Sequence, residues 1–280
     1  MRPALAAACR SRLTRVFIVG YVLLLVALVA RPAAASLVSI PAGALILTAE
    51  LLTPAGPGPF PVVVALHGCG GLYSRNGERL NSRHQDWADR LVAAGYAVLL
   101  PDSFKARGVT QICTLLDRPV TPKDRADDTR AALAWIAQQP SLDPKRAVLL
   151  GWSHGAMTLL WTLRPGFLDA GVKPVQAFAF YPGCREIARL TDWKPSLPLT
   201  MLVGAADDWT KPAPCLELAA RAGFRIVEYA DAYHDFDAPN MPIRVRKGLS
   251  GLKSGEAHVG TNPIARASAI AEVMGALQRP

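Results

Sequence analysis

The sequence is short of charge. Only 19% of its 280 residues are Asp, Glu, Lys or Arg, while 51% are hydrophobic. Soluble domains carry about a quarter charged residues, and disordered chains need high charge with little apolar content. Intrinsic disorder is therefore excluded. Cysteine is also scarce: five residues are too few for a disulfide-built miniprotein of this length. No segment repeats at a period of 20–50 residues, and no low-complexity tract or interdomain linker interrupts the chain. Cys69, Cys113 and the histidines lack zinc-ligand spacing, so no metal site is expected. The length suits one large domain or two small ones.

Acid is absent from residues 1–35, which hold Arg2, Arg10, Arg12, Arg15 and Arg31. An apolar run of fifteen residues, 16–30, follows the first four arginines. As a helix it would span about 22 Å, short of the roughly 30 Å of a bilayer core. Ala33-Ala34-Ala35 then precedes Ser36 in an A-x-A pattern. A charged region, an apolar region and small residues at a cut site read as an export signal over 1–35. The alternative is an uncleaved membrane anchor. Cys9 lies before the apolar run and so is not a lipoprotein acceptor.

Subtracting those five arginines from the formal +9 leaves +4. No basic run with interleaved aromatics occurs in residues 36–280, so a nucleic-acid partner is not expected. Contact with a membrane is expected only in passing, through the signal. Export leaves Cys69, Cys113, Cys184 and Cys215 in a compartment that permits disulfides, with three possible connectivities. At least one bridge is expected.

Residues 61–66 (PVVVAL) are continuously apolar, as a strand covered on both faces should be. Residues 97–100, 147–150, 177–181, 199–203 and 225–229 repeat the theme. Helical patterns lie between, over 85–94 and 123–139, and a last one covers 263–277. In the second, Pro122 marks the start and Pro140 the stop. Residues 37–53 read as a hairpin or edge strands. Alternating β and α at this scale predicts one domain over 36–280, a mostly parallel sheet wrapped by helices.

Residues 147–155 read AVLLGWSHG: a buried strand runs into Gly151-Trp152-Ser153-His154-Gly155 and then into a helix of small residues. This is G-x-S-x-G in a strand-to-helix turn, where a serine is thrust out as a nucleophile. A serine needs a base and an acid to orient it, in the chain order Ser, Asp/Glu, His. Asp207 follows the strand 199–203 and is the candidate acid, with Asp208 as alternative. His234 follows the strand 225–229 and is the candidate base. His258, further from any predicted strand, is the alternative. An oxyanion hole needs two backbone N–H donors. His154 should give one. The loop His67-Gly68-Cys69-Gly70-Gly71 should give the other, from Cys69 or else Gly70. His67 reads as a structural hydrogen-bonding residue, because it precedes the serine. Trp152, Trp209, Phe236 and Tyr181 are candidates either for lining an acyl pocket or for packing.

Taken together, LHGCGGL (66–72), PDSF (101–104), GWSHG (151–155), YPGC (181–184), GAADDWTKPAPC (204–215) and AYHDFD (232–237) resemble the α/β-hydrolase superfamily. More closely, they resemble the secreted branch of the dienelactone hydrolase family. The resemblance implies an α/β-hydrolase fold with an eight-stranded, mostly parallel sheet. It implies Ser153, Asp207 and His234 as a triad and Cys69 and His154 as oxyanion donors. With it come the expected bridges Cys69–Cys113 and Cys184–Cys215, each pinning a loop at the sheet's active edge. Two departures stand out. The name-giving enzymes use a cysteine nucleophile where this chain has Ser153. They also bind a substrate carboxylate with arginines; here Arg107 is either such an anion binder or a solvated loop residue.

The expected activity is carboxylic ester hydrolysis on a small-molecule substrate, without cofactor or metal. A peptidase, thioesterase or polymer esterase would use the same scaffold, and a catalytically silent, secreted binding protein would keep the same fold. The sequence carries no signal for oligomeric state.

Overall fold

The computed structural model describes residues 34–279 except 75, 78, 169 and 170. The segment 1–33 lies outside the described residues, and with it most of the expected export signal. Its last two positions, Ala34 and Ala35, open the first strand.

The chain opens with a hairpin, β1 (Ala34–Ala42) and β2 (Leu45–Thr53). Strand β3 (Phe60–Leu66), helix α1 (Ser82–Ala93), β4 (Ala97–Asp102), α2 (Pro122–Ile136), β5 (Leu142–Trp152) and α3 (His154–Thr162) follow. Then come β6 (Gln176–Phe180), β7 (Leu199–Gly204), α4 (Ala213–Ala222), β8 (Arg225–Tyr229), β9 (Arg244–Lys247), β10 (Glu256–Val259) and α5 (Pro263–Leu277). Eight strands form one sheet in the order β1-β2-β4-β3-β5-β6-β7-β8. The β1–β2 and β2–β4 pairings are antiparallel and the others parallel. This is the α/β-hydrolase arrangement expected from the sequence.

Side chains alternate across a strand, so a strand buried on both faces feeds two cores. In β3, Val62, Val64 and Leu66 enter one core while Val63 and Ala65 enter the other. In β5, Ala147 and Leu149 part from Val148, Leu150 and Trp152 in the same way. Helices α2, α3 and α4 cover the first face, through residues such as Leu133, Leu159 and Leu218. Helices α1 and α5 cover the second, through Trp87, Leu91, Ala269 and Val273.

Helix ends differ from the sequence reading for local reasons. Helix α1 begins at Ser82, three residues earlier than the periodicity implied, because the Asn81 side chain accepts from the Arg83 N–H at 3.0 Å. Helix α2 opens on a capping box, Thr121 with Asp124. It ends at Ile136, and the amides of Gln138 and Gln139 turn back to the carbonyls three residues before them. The small β9–β10 hairpin escapes a search for apolar runs, since its strands read RVRK and EAHV. It moves His258 from a presumed loop into β10. Among the described residues, no helix is long and apolar enough to cross a membrane.

Candidate active site

The site forms at the C-terminal edge of the central strands. Ser153 joins β5 to α3 with φ 51° and ψ −114°, a conformation an L-residue enters only under constraint. The flanking glycines make that turn possible. A Cβ on Gly155 would lie 2.0 Å from the Leu66 carbonyl, and one on Gly151 would lie 2.7 Å from the Gly155 carbonyl. The Ser153 N–H is tied to the Phe180 carbonyl at 2.9 Å, which registers the turn on β6.

Beyond β7 the chain turns at Asp207, and beyond β8 it reaches His234. The two loops are joined by the Ala206 N–H, which donates to the Ala232 carbonyl at 3.1 Å. Ser153 Oγ lies 3.0 Å from His234 Nε2, and His234 Nδ1 lies 2.8 Å from Asp207 Oδ2. A carboxylate only accepts, so Nδ1 carries the proton and Nε2 is free to take one from Ser153. The amides of Trp209 and Thr210 donate to Asp207 Oδ1, each at 2.9 Å, and hold the carboxylate in place. The rings of Tyr181 and Trp209 lie 4.5 and 4.6 Å from that of His234.

The loop 67–71 passes against the serine: a Cβ on Gly68 would lie 3.6 Å from Ser153 Cβ. Among the described residues, the Cys69 and His154 amides donate to no other group. A cleft of about 60 Å³, lined by Gly68, Cys69, Ser153, Trp209 and His234, opens over the serine and the loop 67–71. A second cleft of about 270 Å³ lies beside it, between Met157, Gly183, Pro214 and Leu252, with Trp209 lining both. Cys69–Cys113 bridges the loop 67–71 to the segment after β4, and Cys184–Cys215 bridges the loop after β6 to α4.

The family model for the dienelactone hydrolase family matches residues 47–277. The chain belongs to the dienelactone hydrolase family. Among solved structures it is similar to a Klebsiella pneumoniae protein assigned as a dienelactone hydrolase, at 19% identity and TM-score 0.65. That match covers 89% of this chain and 100% of that one. A dienelactone hydrolase-like promiscuous phosphotriesterase from metagenomic libraries matches at 20% identity and TM-score 0.61, covering 88% and 98%. A dienelactone hydrolase from Anabaena variabilis matches at 21% and 0.56, covering 75% and 91%. At these identities the likeness is one of fold. No curated protein matches the chain significantly.

Several candidates take other places in this family member. Arg107 donates to both carboxylate oxygens of Asp128 on α2, at 2.8 and 2.9 Å, so it does not serve the cleft as an anion binder. His258 Nδ1 lies 2.8 Å from Asp208 Oδ2, a second Asp–His pair outside the serine's reach. Trp152 and Phe236 are fully buried packing residues, and only Trp209 of the four aromatic candidates lines the clefts. His67 Nδ1 donates to the Gly68 carbonyl at 2.9 Å, the structural role read for it. Among the described residues no cluster of three or more His, Cys, Asp or Glu could hold a metal.

Other residues were not singled out in the sequence. Asp237 is fully buried and accepts from Trp87 Nε1 and Trp152 Nε1, both at 2.8 Å, and from the Tyr181 hydroxyl. Arg83 pairs with Asp235, which follows His234. Burial opposes ionisation of Asp235, but Arg83, His234 and Arg246 outweigh it and hold the carboxyl below its ordinary range. For Asp235 and Asp237 the only sequence signal was their place in AYHDFD beside the histidine, and Arg83 carried none.

Proposed function

We propose that this family member is a serine esterase that cleaves small carboxylic esters through an acyl-enzyme. The contact that carries the reading is Ser153 Oγ–His234 Nε2 at 3.0 Å, continued to Asp207 at 2.8 Å. His234 takes the Ser153 proton as Oγ attacks the ester carbonyl. The Cys69 and His154 amides receive the oxyanion. As the tetrahedral intermediate collapses, the C–O bond to the leaving alkoxide breaks and His234 returns the proton, releasing the alcohol. Water enters, gives a proton to His234 and attacks the acyl carbon. Collapse frees the acid and restores the Ser153 hydroxyl. Asp207 keeps the His234 tautomer and stabilises its cation. No cofactor takes part.

The clefts of about 60 and 270 Å³ can seat short acyl and alcohol groups beside Ser153. The two bridges, together with the basic and apolar leader, support export to the periplasm or beyond. The test is a panel of nitrophenyl esters, thioesters and anilides hydrolysed by wild type beside Ser153→Ala. Short esters should be cleaved fastest, and only with Ser153 present. Equal turnover by Ser153→Ala would refute the mechanism, and faster anilide cleavage would refute the substrate class.

A further inference from the structure

Two imidazoles adjoin Ser153: His234 across the cleft and His154, next in the chain. His154 opens α3 and is buried. Its Nδ1 lies 2.9 Å from Nη1 of Arg125, which projects from α2. A guanidinium only donates, so this Nδ1 is an acceptor and the ring proton sits on Nε2.

Arg125 is itself 1% exposed. The acids nearest to it in effect, Asp128 and Asp102, are committed elsewhere. Asp128 is held by Arg107, and Asp102 Oδ1 accepts from the Phe104 and Lys105 amides at 2.9 and 3.1 Å. Nε and Nη2 of Arg125 are buried without a hydrogen-bond partner. The Phe104 ring lies 5.2 Å from its Cζ. Burial, with Arg107 adding repulsion against the pull of Asp128 and Asp102, lowers its pKa to about 10, so it stays cationic near neutrality. A buried charge without a paired counter-ion destabilises a fold, and a neutral side chain of the same length would pack there at lower cost. Structural need alone therefore accounts poorly for it.

We propose that Arg125 is a positioning residue for acyl transfer, holding His154 as a neutral acceptor and adding positive potential at the end of α3 where the oxyanion forms. The proposal rests on the esterase reading above. Two consequences follow from the geometry. Fixing the His154 ring fixes the residue whose amide faces the oxyanion, and that end of α3 already carries the positive pole of the helix dipole. His154 is also removed as a rival base, because its Nδ1 lone pair is engaged. Burial and the Arg125 and Arg118 charges further lower its pKa well below 6.5.

The experiment compares wild type, Arg125→Met and Arg125→Lys as full, disulfide-bonded chains. It measures kcat and KM on p-nitrophenyl acetate and the Ki of phenylboronic acid, whose adduct on Ser153 mimics the tetrahedral intermediate. Titration with a fluorophosphonate counts the active sites. Arg125→Met should lower kcat per titrated site about tenfold, less than the roughly 10²–10³-fold expected for losing an oxyanion donor. KM should stay within about twofold, and the boronate Ki should rise by the same factor as kcat falls. Unchanged kcat and Ki per titrated site would overturn the proposal, leaving Arg125 a purely structural residue. If Arg125→Met does not fold, Arg125→Lys carries the same test: kcat and Ki must move together, and no movement in either overturns it. Absence of Ser153-dependent hydrolysis in the wild type would instead overturn the esterase reading, before any Arg125 variant is compared.

Discussion

Asp207 and Asp208 are neighbours, and each holds a histidine Nδ1 at 2.8 Å. The Asp207–His234 side chains are 1% exposed each, while those of Asp208 and His258 are 40% and 43% exposed. The second nitrogen of His234 meets Ser153 Oγ, and that of His258 meets no partner among the described residues. An Asp–His contact is thus no signature of catalysis by itself. What separates the pairs is exclusion of water, which strengthens electrostatics, and the group that the far nitrogen reaches. The exposed pair has a supporting place instead. His258 stacks on Tyr233 at 4.9 Å, its backbone N–H donates to Asp208 Oδ1, and the adjoining Val259 bridges to His234. It fastens the β9–β10 hairpin to the loop that carries His234.

Exchanging one atom in each acid gives the sharpest contrast. In Asp207→Asn the oxygen should stay with the Trp209 and Thr210 amides, turning the NH₂ toward His234 Nδ1. That forces the wrong tautomer, and kcat on a short nitrophenyl ester should fall by about 10⁴-fold. Asp208→Asn should lose less than about threefold, in keeping with a pair outside the reacting atoms. Similar losses in both would erase the distinction drawn here. Histidine exchanges follow, with a loss of about 10³-fold or more for His234→Gln and a few-fold at most for His258→Gln.

Acid stability extends the comparison to the other buried imidazoles. Burial, aided by nearby arginines, lowers the pKa of His67 and His154 well below 6.5 and that of His84 to about 3. Unfolded histidines take up protons near 6.5 while these native ones do not. Between those values the unfolded chain binds more protons, so stability falls as pH falls from about 6.5 towards 3. Denaturant midpoints measured from pH 8 to pH 4 should show that loss, and it should be less steep in His84→Gln. A midpoint independent of pH over that range would argue against neutral buried rings. The smallest effect belongs to the exposed pair. His258→Gln should cost no more than about 1 kcal/mol, shrinking in high salt.

The sheet is legible in the sequence because its central strands are covered on both faces and read as unbroken apolar runs. Strands β9 and β10 are illegible for a different reason: RVRK is largely exposed and charged, and EAHV buries only Ala257 and Val259, so four residues each give too short a pattern to detect. Ser153 announces itself through two glycines whose Cβ atoms would collide with backbone, and Asp207 and His234 through chain order beyond β7 and β8. Arg125 sits in PKDRADDTR, which reads as a solvated helical face. Only the packing of α2 against α3 turns that arginine inward. Asp237 is hidden likewise, since its three donors come from Trp87, Trp152 and Tyr181, far apart in the chain.

Burial and the reach to His234 should make Ser153 an activated nucleophile. Labelling with a fluorophosphonate, followed by peptide mass spectrometry, measures that directly. One adduct on Ser153 should form in the wild type, with labelling slowed by about 10³-fold in His234→Gln and little changed in His258→Gln. A folded protein that leaves Ser153 unlabelled, or labels it as fast without His234, would rule out activation of Ser153 by His234.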